Sequence, residues 1–328
     1  MAITDRSGRI IDYARISVTD RCNYRCTYCM PEEGVSQIPH EQIMRYEEIG
    51  FLCRALSELG VRKIRFTGGE PLVRKGIAQF LKHFKKDFHE VAVSITTNAA
   101  LLAHFARELS EVPLSGMNIS LDTVDAAKFR EITRVGNIDD VKAGIEAARS
   151  WNIPNIKTNT VLIRGFNDGE LPDILRFAWN NDIVPRFIEF MPLGDDVWRR
   201  EKFIGADEIL QMLSAYGEWM PLLPQRPASD GIPVGPAKYY VNAATGKTVG
   251  VIEAVSNHFC ASCNRLRVTA SGNLRACLFS RDEVPLLPLI RNGDIEGLKC
   301  AIREGMNAKP ECWENLRDGK QRMYGIGG

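Results

Sequence analysis

No stretch of this sequence stays apolar for the ~20 residues of a membrane-spanning helix, which argues against a membrane partner. Neither sign of charge is in excess. The 42 Lys and Arg meet 41 Asp and Glu for a net +1, so no global field invites nucleic acid or a lipid surface. A local basic site for a small anion survives that balance, because net charge averages over the whole surface. The opening Met1-Ala2-Ile3-Thr4-Asp5-Arg6 reaches an acid at once and has no apolar core of a signal peptide, so a cytoplasmic location is expected. There thiols stay reduced, and grouped cysteines point to metal rather than disulfides. Internal repeats and low-complexity tracts are missing too. What is present is an ordinary globular balance, 45% hydrophobic and 25% charged, in 328 residues. That length suits one large domain, or one large and one small.

Between Tyr13 and Met191 short β-branched runs alternate with amphipathic stretches. The strand candidates are 14–19, 63–67, 91–97, 116–122, 156–162 and 186–191. Helical periodicity falls in 41–59, 76–88, 101–109, 141–151 and 171–180. A strand followed by a helix, six times over, reads as α/β architecture with parallel strands. The right-handed crossover rule curls six such units into an incomplete β/α barrel, with an open doubly wound sheet as the alternative. Past Met191 the texture changes: residues 192–237 carry six of the 16 prolines and one helical pattern, at 206–215. Short antiparallel strands are expected at 238–242, 248–255, 266–269 and 274–278, the last pair joined by a turn at 269–273. The expected domains are therefore 1–200 and a smaller β-containing extension, 201–328.

Six of the nine cysteines form two triads. Cys22-Asn-Tyr-Arg-Cys26-Thr-Tyr-Cys29 follows the first strand directly, in a loop compact enough to wrap three thiolates around one centre. Iron–sulfur clusters usually take four thiolates, so three leave one iron open to chelate a ligand and pass it an electron. A zinc knuckle is the rival, but the nearest histidine, His40, lies beyond Pro31 and Pro39. Cys260-Ala-Ser-Cys263 with Cys277 is the second triad. Alone it fits a zinc site with His258 as well as a cluster, and the first triad tips it toward iron and sulfur. Cys53 falls in an amphipathic helix and reads as core, while Cys300 and Cys312 have no partner at metal spacing and read as structural.

Cys22-x3-Cys26-x2-Cys29 after a first strand, with Thr67-Gly68-Gly69-Glu70-Pro71 ending the second, resembles the radical S-adenosylmethionine superfamily. A closer resemblance, running from Arg15 to Gly328, is to the GTP 3′,8-cyclase family of molybdenum cofactor biosynthesis. It is carried by Ile64-Arg65-Phe66-Thr67, Thr96-Thr97-Asn98, Asn118-Ile119-Ser120-Leu121-Asp122, Lys157-Thr158-Asn159-Thr160-Val161 and Arg186-Phe187-Ile188-Glu189-Phe190-Met191. Phe259-Cys260-Ala-Ser-Cys263-Asn264-Arg265-Leu266-Arg267 and the final Gly327-Gly328 complete it. One departure is Ala99, where the family often has glycine.

The resemblance implies two four-iron clusters and S-adenosylmethionine. Cys22, Cys26 and Cys29 would hold the catalytic cluster, with Tyr28, Gly68, Gly69, Ser120 and Met191 around the S-adenosylmethionine. Glycine suits close approach because it lacks Cβ. Arg15, Arg65, Thr96, Lys157, the segment Arg265-Leu266-Arg267 and the terminal Gly327 and Gly328 would meet GTP. Cys260, Cys263 and Cys277 would hold an auxiliary cluster whose open iron meets the guanine. The residues agree in part: Arg65 and Lys157 are charges inside apolar strands, where burial is costly without a partner. A polyphosphate is that partner if both face one cavity with Arg15. Barrel chemistry also gathers at strand C-terminal ends, where several of these residues fall. The implied reaction is a lyase-class cyclisation: a deoxyadenosyl radical takes hydrogen from ribose C3′, and the sugar radical attacks guanine C8. The product is 3′,8-cyclo-7,8-dihydro-GTP. An external electron donor and a downstream pyranopterin-forming enzyme are implied as partners, and both a monomer and a homodimer are compatible with the sequence. The rival readings are a radical maturase acting on a peptide or other small molecule with one auxiliary cluster, and a non-catalytic metal-binding protein.

Overall fold

The computed structural model describes residues 2–193, 197–222, 235–316 and 323–325. Strands β1 (Ile3–Thr4) and β2 (Ile10–Ile11) pair as a small antiparallel ribbon. Six parallel strands then lie side by side in chain order: β3 (Tyr13–Ser17), β4 (Lys63–Thr67), β5 (Ala92–Thr97), β6 (Gly116–Ser120), β7 (Ile156–Leu162) and β8 (Val184–Glu189). The connecting helices are α1 (Tyr46–Glu58), α2 (Ile77–Asp87), α3 (Leu102–Ser110), α4 (Ala126–Thr133), α5 (Ile138–Ser150) and α6 (Leu171–Asn180). Six β/α units are thus present, as the alternation of patterns implies, and the sheet does not close: its twelve strands run from β14 at one edge to β9 at the other.

The strands alternate, as extended chain must. In β3 and β4, Ala14, Ile16, Ile64 and Phe66 are fully buried, in a core that includes Ile49, Leu52 and Leu56 of α1. The intervening Tyr13, Arg15, Lys63, Arg65 and Thr67 line a cavity on the opposite, inner face. Cys53 is fully buried in the same core, a packing residue as read from the helix pattern.

The C-terminal part departs from a self-contained antiparallel unit. After α7 (Ala206–Ser214) come β9 (Trp219–Leu222), β10 (Lys238–Asn242) and β11 (Thr248–Ile252), then β12 (Arg265–Val268), β13 (Asn273–Arg275) and β14 (Val284–Pro285). Pairing inside each group is antiparallel, and Thr269 N–H bonds Asn273 O in the turn that joins β12 to β13. Yet β11 joins β8 in parallel and β12 joins β3 in parallel. The two groups therefore extend opposite edges of the barrel sheet, because each barrel edge strand offers unpaired backbone groups that must be satisfied. Three helices escape the 3.6-residue reading: α4 in the barrel part and, here, α8 (Leu287–Arg291) and the longer α9 (Ile295–Asn307). The α9 signal is present in the sequence. Asp294 caps it by accepting Gly297 N–H at 2.8 Å, and Leu298, Ile302 and Met306 at four-residue intervals are fully buried. Among the described residues no helix is long and apolar enough to cross a membrane.

Candidate active site

The loop after β3 carries Cys22, Cys26 and Cys29, all unbridged and half-buried. It is pinned from the side by the end of α4, a helix the sequence pattern did not reveal. Thr27 N–H bonds Ile132 O at 2.8 Å, Arg25 N–H bonds Thr133 O at 3.1 Å, and Arg134 Nη1 reaches the carbonyls of Arg25 and Met30. It is also seated on the end of β4. A Cβ on Gly69 would stand 2.3 Å from Arg21 O, and one on Gly68 would stand 2.7 Å from Thr19 O. The glycines are thus required by the cysteine loop's own backbone, as well as lining the cavity. Glu70 is fully buried and accepts from Leu72 N–H, Thr97 Oγ1 and Asn98 N–H, at 3.0, 2.7 and 2.6 Å, which ties the end of β4 to the end of β5. Burial pushes its carboxyl up to about 7 against those three donors.

Burial also pushes Cys22 up to about 11 and Cys26 well above the ordinary thiol range. Tyr28 donates to Asp122 at 2.7 Å, and Asp122 accepts Val161 N–H at 2.9 Å. The Asp122 carboxyl is raised by burial to about 6. Tyr28, Ser120 and Met191 all line the cavity beside these thiols.

Strand register builds a cationic wall. Arg267, Arg15 and Arg65 are cross-strand partners on β12, β3 and β4, and one step away Arg265, Tyr13 and Lys63 form a second row. Like charges opposite one another are unfavourable. Their partial relief is visible in Tyr13: burial opposes its ionisation, but Arg65, Arg15 and Lys63 pull the phenol down to about 7. Burial lowers Arg15 to about 10 and drives Arg267 well below its usual range. Arg65 donates to Tyr13 Oη at 2.7 Å and to Thr96 Oγ1 at 3.3 Å. Lys157 and Arg186 on β7 and β8 complete the wall around a cavity of about 350 Å³. Arg15 Nε, Arg186 Nε and Nη2, and Asn159 Oδ1 are buried without hydrogen-bond partners among the described residues. Orphaned guanidinium donors of this kind call for an anion.

Lys63, Arg186 and Tyr13 were not singled out as site residues from sequence. Their signal was the two-residue step from Arg65 and Arg15, and the charged position inside β8. Gly250 of β11 makes room for Arg186, whose Cγ would lie 2.7 Å from a Cβ there.

The second triad closes the far side of the same cavity. Cys260 and Cys263 flank a 3₁₀ turn and Cys277 follows β13. Glu189, at the end of β8, fixes the approach by accepting Val255 N–H and Ser256 N–H at 2.6 and 2.9 Å. Lys309 is buried and donates to Arg265 O and Ala276 O at 2.8 and 2.6 Å. Although burial works against it, Arg265 and Lys309 draw the Cys263 thiol down to about 6. Arg265 also lies over the Phe259 ring, 4.6 Å from its centre.

Leu266 differs from its neighbours: its side chain is fully buried in the core and absent from the cavity wall, so any ligand contact would come from its main chain. Gly327 and Gly328 lie outside the described residues, while Met323 and Tyr324 reach the cavity wall. Cys312, read as structural from its spacing, stands against His258 and Cys260.

Two open-sided sets of three thiols, one beside a glycine cradle at strand ends, fit two cysteine-ligated iron–sulfur clusters and a small cofactor between them. These features define a radical S-adenosylmethionine enzyme, and residues 16–178 match the family described as the Radical SAM superfamily. Residues 183–315 match Molybdenum Cofactor Synthesis C. The GTP 3′,8-cyclase of Thermodesulfovibrio yellowstonii is 40% identical over 327 residues, 99% of each chain. That of Peptoclostridium acidaminophilum is 44% identical over 333 positions, covering 99% of this chain and 98% of its own. The chain belongs to the GTP 3′,8-cyclase family. In fold it resembles Streptococcus suis SuiB bound to S-adenosylmethionine, with a TM-score of 0.64 at 14% identity over 97% of this chain and 77% of that one.

Proposed function

We propose that this chain converts GTP to 3′,8-cyclo-7,8-dihydro-GTP, the lyase step that opens molybdenum cofactor biosynthesis. The observation that carries the reading is one cavity with a thiol triad at each end and a cationic wall between them, in which Arg15 Nε and Arg186 Nε and Nη2 are buried without a hydrogen-bond partner among the described residues. In this reading Cys22, Cys26 and Cys29 hold the cluster that binds S-adenosylmethionine, and Cys260, Cys263 and Cys277 hold the auxiliary cluster. When bound, the first cluster and S-adenosylmethionine supply one-electron cleavage of a carbon–sulfur bond and a radical able to take hydrogen from the sugar.

The chain's own residues do the positioning. Tyr28, Gly68, Gly69, Ser120 and Met191 form the cofactor's side of the cavity. Arg15, Arg65, Lys157, Arg265 and Arg267, with Lys63 and Arg186, neutralise a triphosphate, and Thr96 orients Arg65. The Leu266 main chain and the terminal Gly327 and Gly328 are assigned to GTP by the same reading. Water exclusion falls to the extension, 201–328, through Tyr239, Phe259, Leu278 and Trp313, which line the cavity together with residues of the barrel part, 1–200. The fixed ribose position follows from holding the nucleotide at both ends, which turns a bimolecular encounter into an oriented one. A cytoplasmic location, an external electron donor and a downstream enzyme that consumes the cyclic nucleotide are parts of the same proposal.

The test is anaerobic reconstitution with iron and sulfide, then reduction in the presence of S-adenosylmethionine and GTP, with ATP as control. Formation of 5′-deoxyadenosine that depends on GTP and matches its loss is the expected result. Cleavage at one rate with or without GTP, and no GTP consumed, would sink the substrate assignment.

A further inference from the structure

At the cavity wall the described residues gather another set of soft donors. His258 Nε2 is 3.2 Å from Cys312 Sγ, and these atoms and Cys260 Sγ all lie within 4.8 Å of one another. Around one tetrahedral ion, with sulfur at about 2.3 Å and nitrogen at about 2.0 Å, neighbouring donors stand about 3.5–3.8 Å apart. To meet that geometry the His258–Cys312 pair opens by a few tenths of an ångström and the other separations, none above 4.8 Å, close by about 1 Å at most. Thiolates on a four-iron cluster bind separate irons and stand wider. Cys312 does not line the cavity, whereas His258 and Cys260 do, so Cys260 is shared between the second triad and this set.

The set is built rather than accidental. Arg9 is buried and held by Asp5 through a 2.6 Å ion pair. Its Nη1 donates to Cys260 O at 2.8 Å and to Glu311 O at 3.2 Å, and its Nη2 donates to Pro310 O at 2.8 Å. One guanidinium thus clamps the Cys260 turn to the segment that carries Cys312. His258 Nδ1 is buried without a hydrogen-bond partner among the described residues, leaving Nε2 aimed at Cys312.

We propose that His258, Cys260 and Cys312 form a three-donor site for one divalent ion of the zinc class, mutually exclusive with the auxiliary cluster because both require Cys260. On binding, the two thiols release their protons to solvent, the imidazole ligates neutral, and water fills the fourth position. The exclusion rests on reading Cys260 as a cluster ligand; the donor set itself does not. An ion held here withholds Cys260 from cluster assembly.

The test uses the full chain carrying Cys22→Ala, Cys26→Ala and Cys29→Ala, so that the first triad takes no metal. Stripped of metal and titrated anaerobically with Co²⁺, it binds one equivalent, with thiolate charge-transfer and tetrahedral ligand-field bands. Cys312→Ala and, independently, His258→Ala weaken that binding at least tenfold while circular dichroism stays unchanged, and Cys277→Ala keeps it. Bands that survive Cys312→Ala but vanish with Cys277→Ala place the ion in the triad and overturn the site. For the exclusion, chain preloaded with Zn²⁺ acquires no auxiliary cluster, and cluster-loaded chain takes up no Co²⁺. Uptake of a full equivalent by cluster-loaded chain, or a complete auxiliary cluster in Cys260→Ala, overturns the exclusion and leaves the cobalt result to stand or fall alone.

Discussion

The two triads hold the same number of thiols and differ at one of them, Cys263. The first is seated on strand ends, where burial pushes Cys22 up to about 11 and Cys26 well above the usual thiol range. The second is divided: burial holds Cys260 up at about 11 as well, while Arg265 with Lys309 brings Cys263 down to about 6 despite burial. A buried neutral thiol gives up its proton only when metal supplies the compensating charge, whereas a thiol beside fixed cations is a thiolate beforehand. The first triad is therefore built to be shaped by its cluster. In the second, Cys263 is charge-balanced by Arg265 and Lys309, which line the same cavity as the rest of the basic wall.

The largest test of that contrast is substitution within each triad. Cys26→Ala takes S-adenosylmethionine cleavage to the uncatalysed baseline, whereas Cys277→Ala keeps cleavage and loses cyclic product, both followed by chromatography. Equal loss of cleavage in the two variants would erase the division of labour. Next is Lys309→Met, which leaves Arg265 O and Ala276 O buried and unpaired. About 2–4 kcal/mol of stability should be lost in denaturant titration, and alkylation of Cys263 at neutral pH in the metal-stripped chain should slow. An unchanged alkylation rate would mean that Arg265 alone sets that thiol.

Arg186→Ala comes third. Losing a charged hydrogen-bond donor raises KM for GTP by about 10–100-fold, with S-adenosylmethionine binding unchanged by calorimetry. A weakened S-adenosylmethionine site instead would place Arg186 on the other side of the cavity. Smaller still is a proton effect at Tyr13. Its folded value near 7 is depressed from 10, so its stabilisation is full above 10 and lost as pH falls through 7. A bound triphosphate cancels the surrounding cations and returns the proton. Metal-stripped chain at about pH 8 should thus lose tyrosinate absorption when GTP is added, and Tyr13→Phe should show no such change. The smallest effect is at Ala99, buried beside Asn98 with φ of +63°. Left-handed backbone costs an L-residue about 1–2 kcal/mol, and glycine returns part of that as unfolded-state entropy, so Ala99→Gly should stabilise by about 0.5–1 kcal/mol. A loss of stability would show that the buried methyl outweighs the strain.

Both triads, the Gly-Gly-Glu-Pro turn and the six β/α units were legible in the chain, because each is local: a spacing, a turn or a period. The inward basic residues were half legible. Arg65 and Lys157 stood out as charges within apolar runs, while Lys63, two residues from Arg65, and Arg186, a charge inside β8, carried the same signal and were not taken up. Ala99 was visible as a departure, but its cost depended on a dihedral angle.

By itself the sequence determined the two cysteine triads and the six β/α units, since cysteine spacing and hydrophobic period act over a few residues. Only the tertiary structure decided that the extension would split across both sheet edges, that Arg267, Arg15 and Arg65 would share one row, and that Cys312 would meet Cys260. Those are matters of strand register and of Arg9 joining segments about 250 and 300 residues away, as its bonds to Cys260 and Glu311 show. No local pattern encodes them, because the partners become neighbours only when buried polar groups and open strand edges are satisfied together.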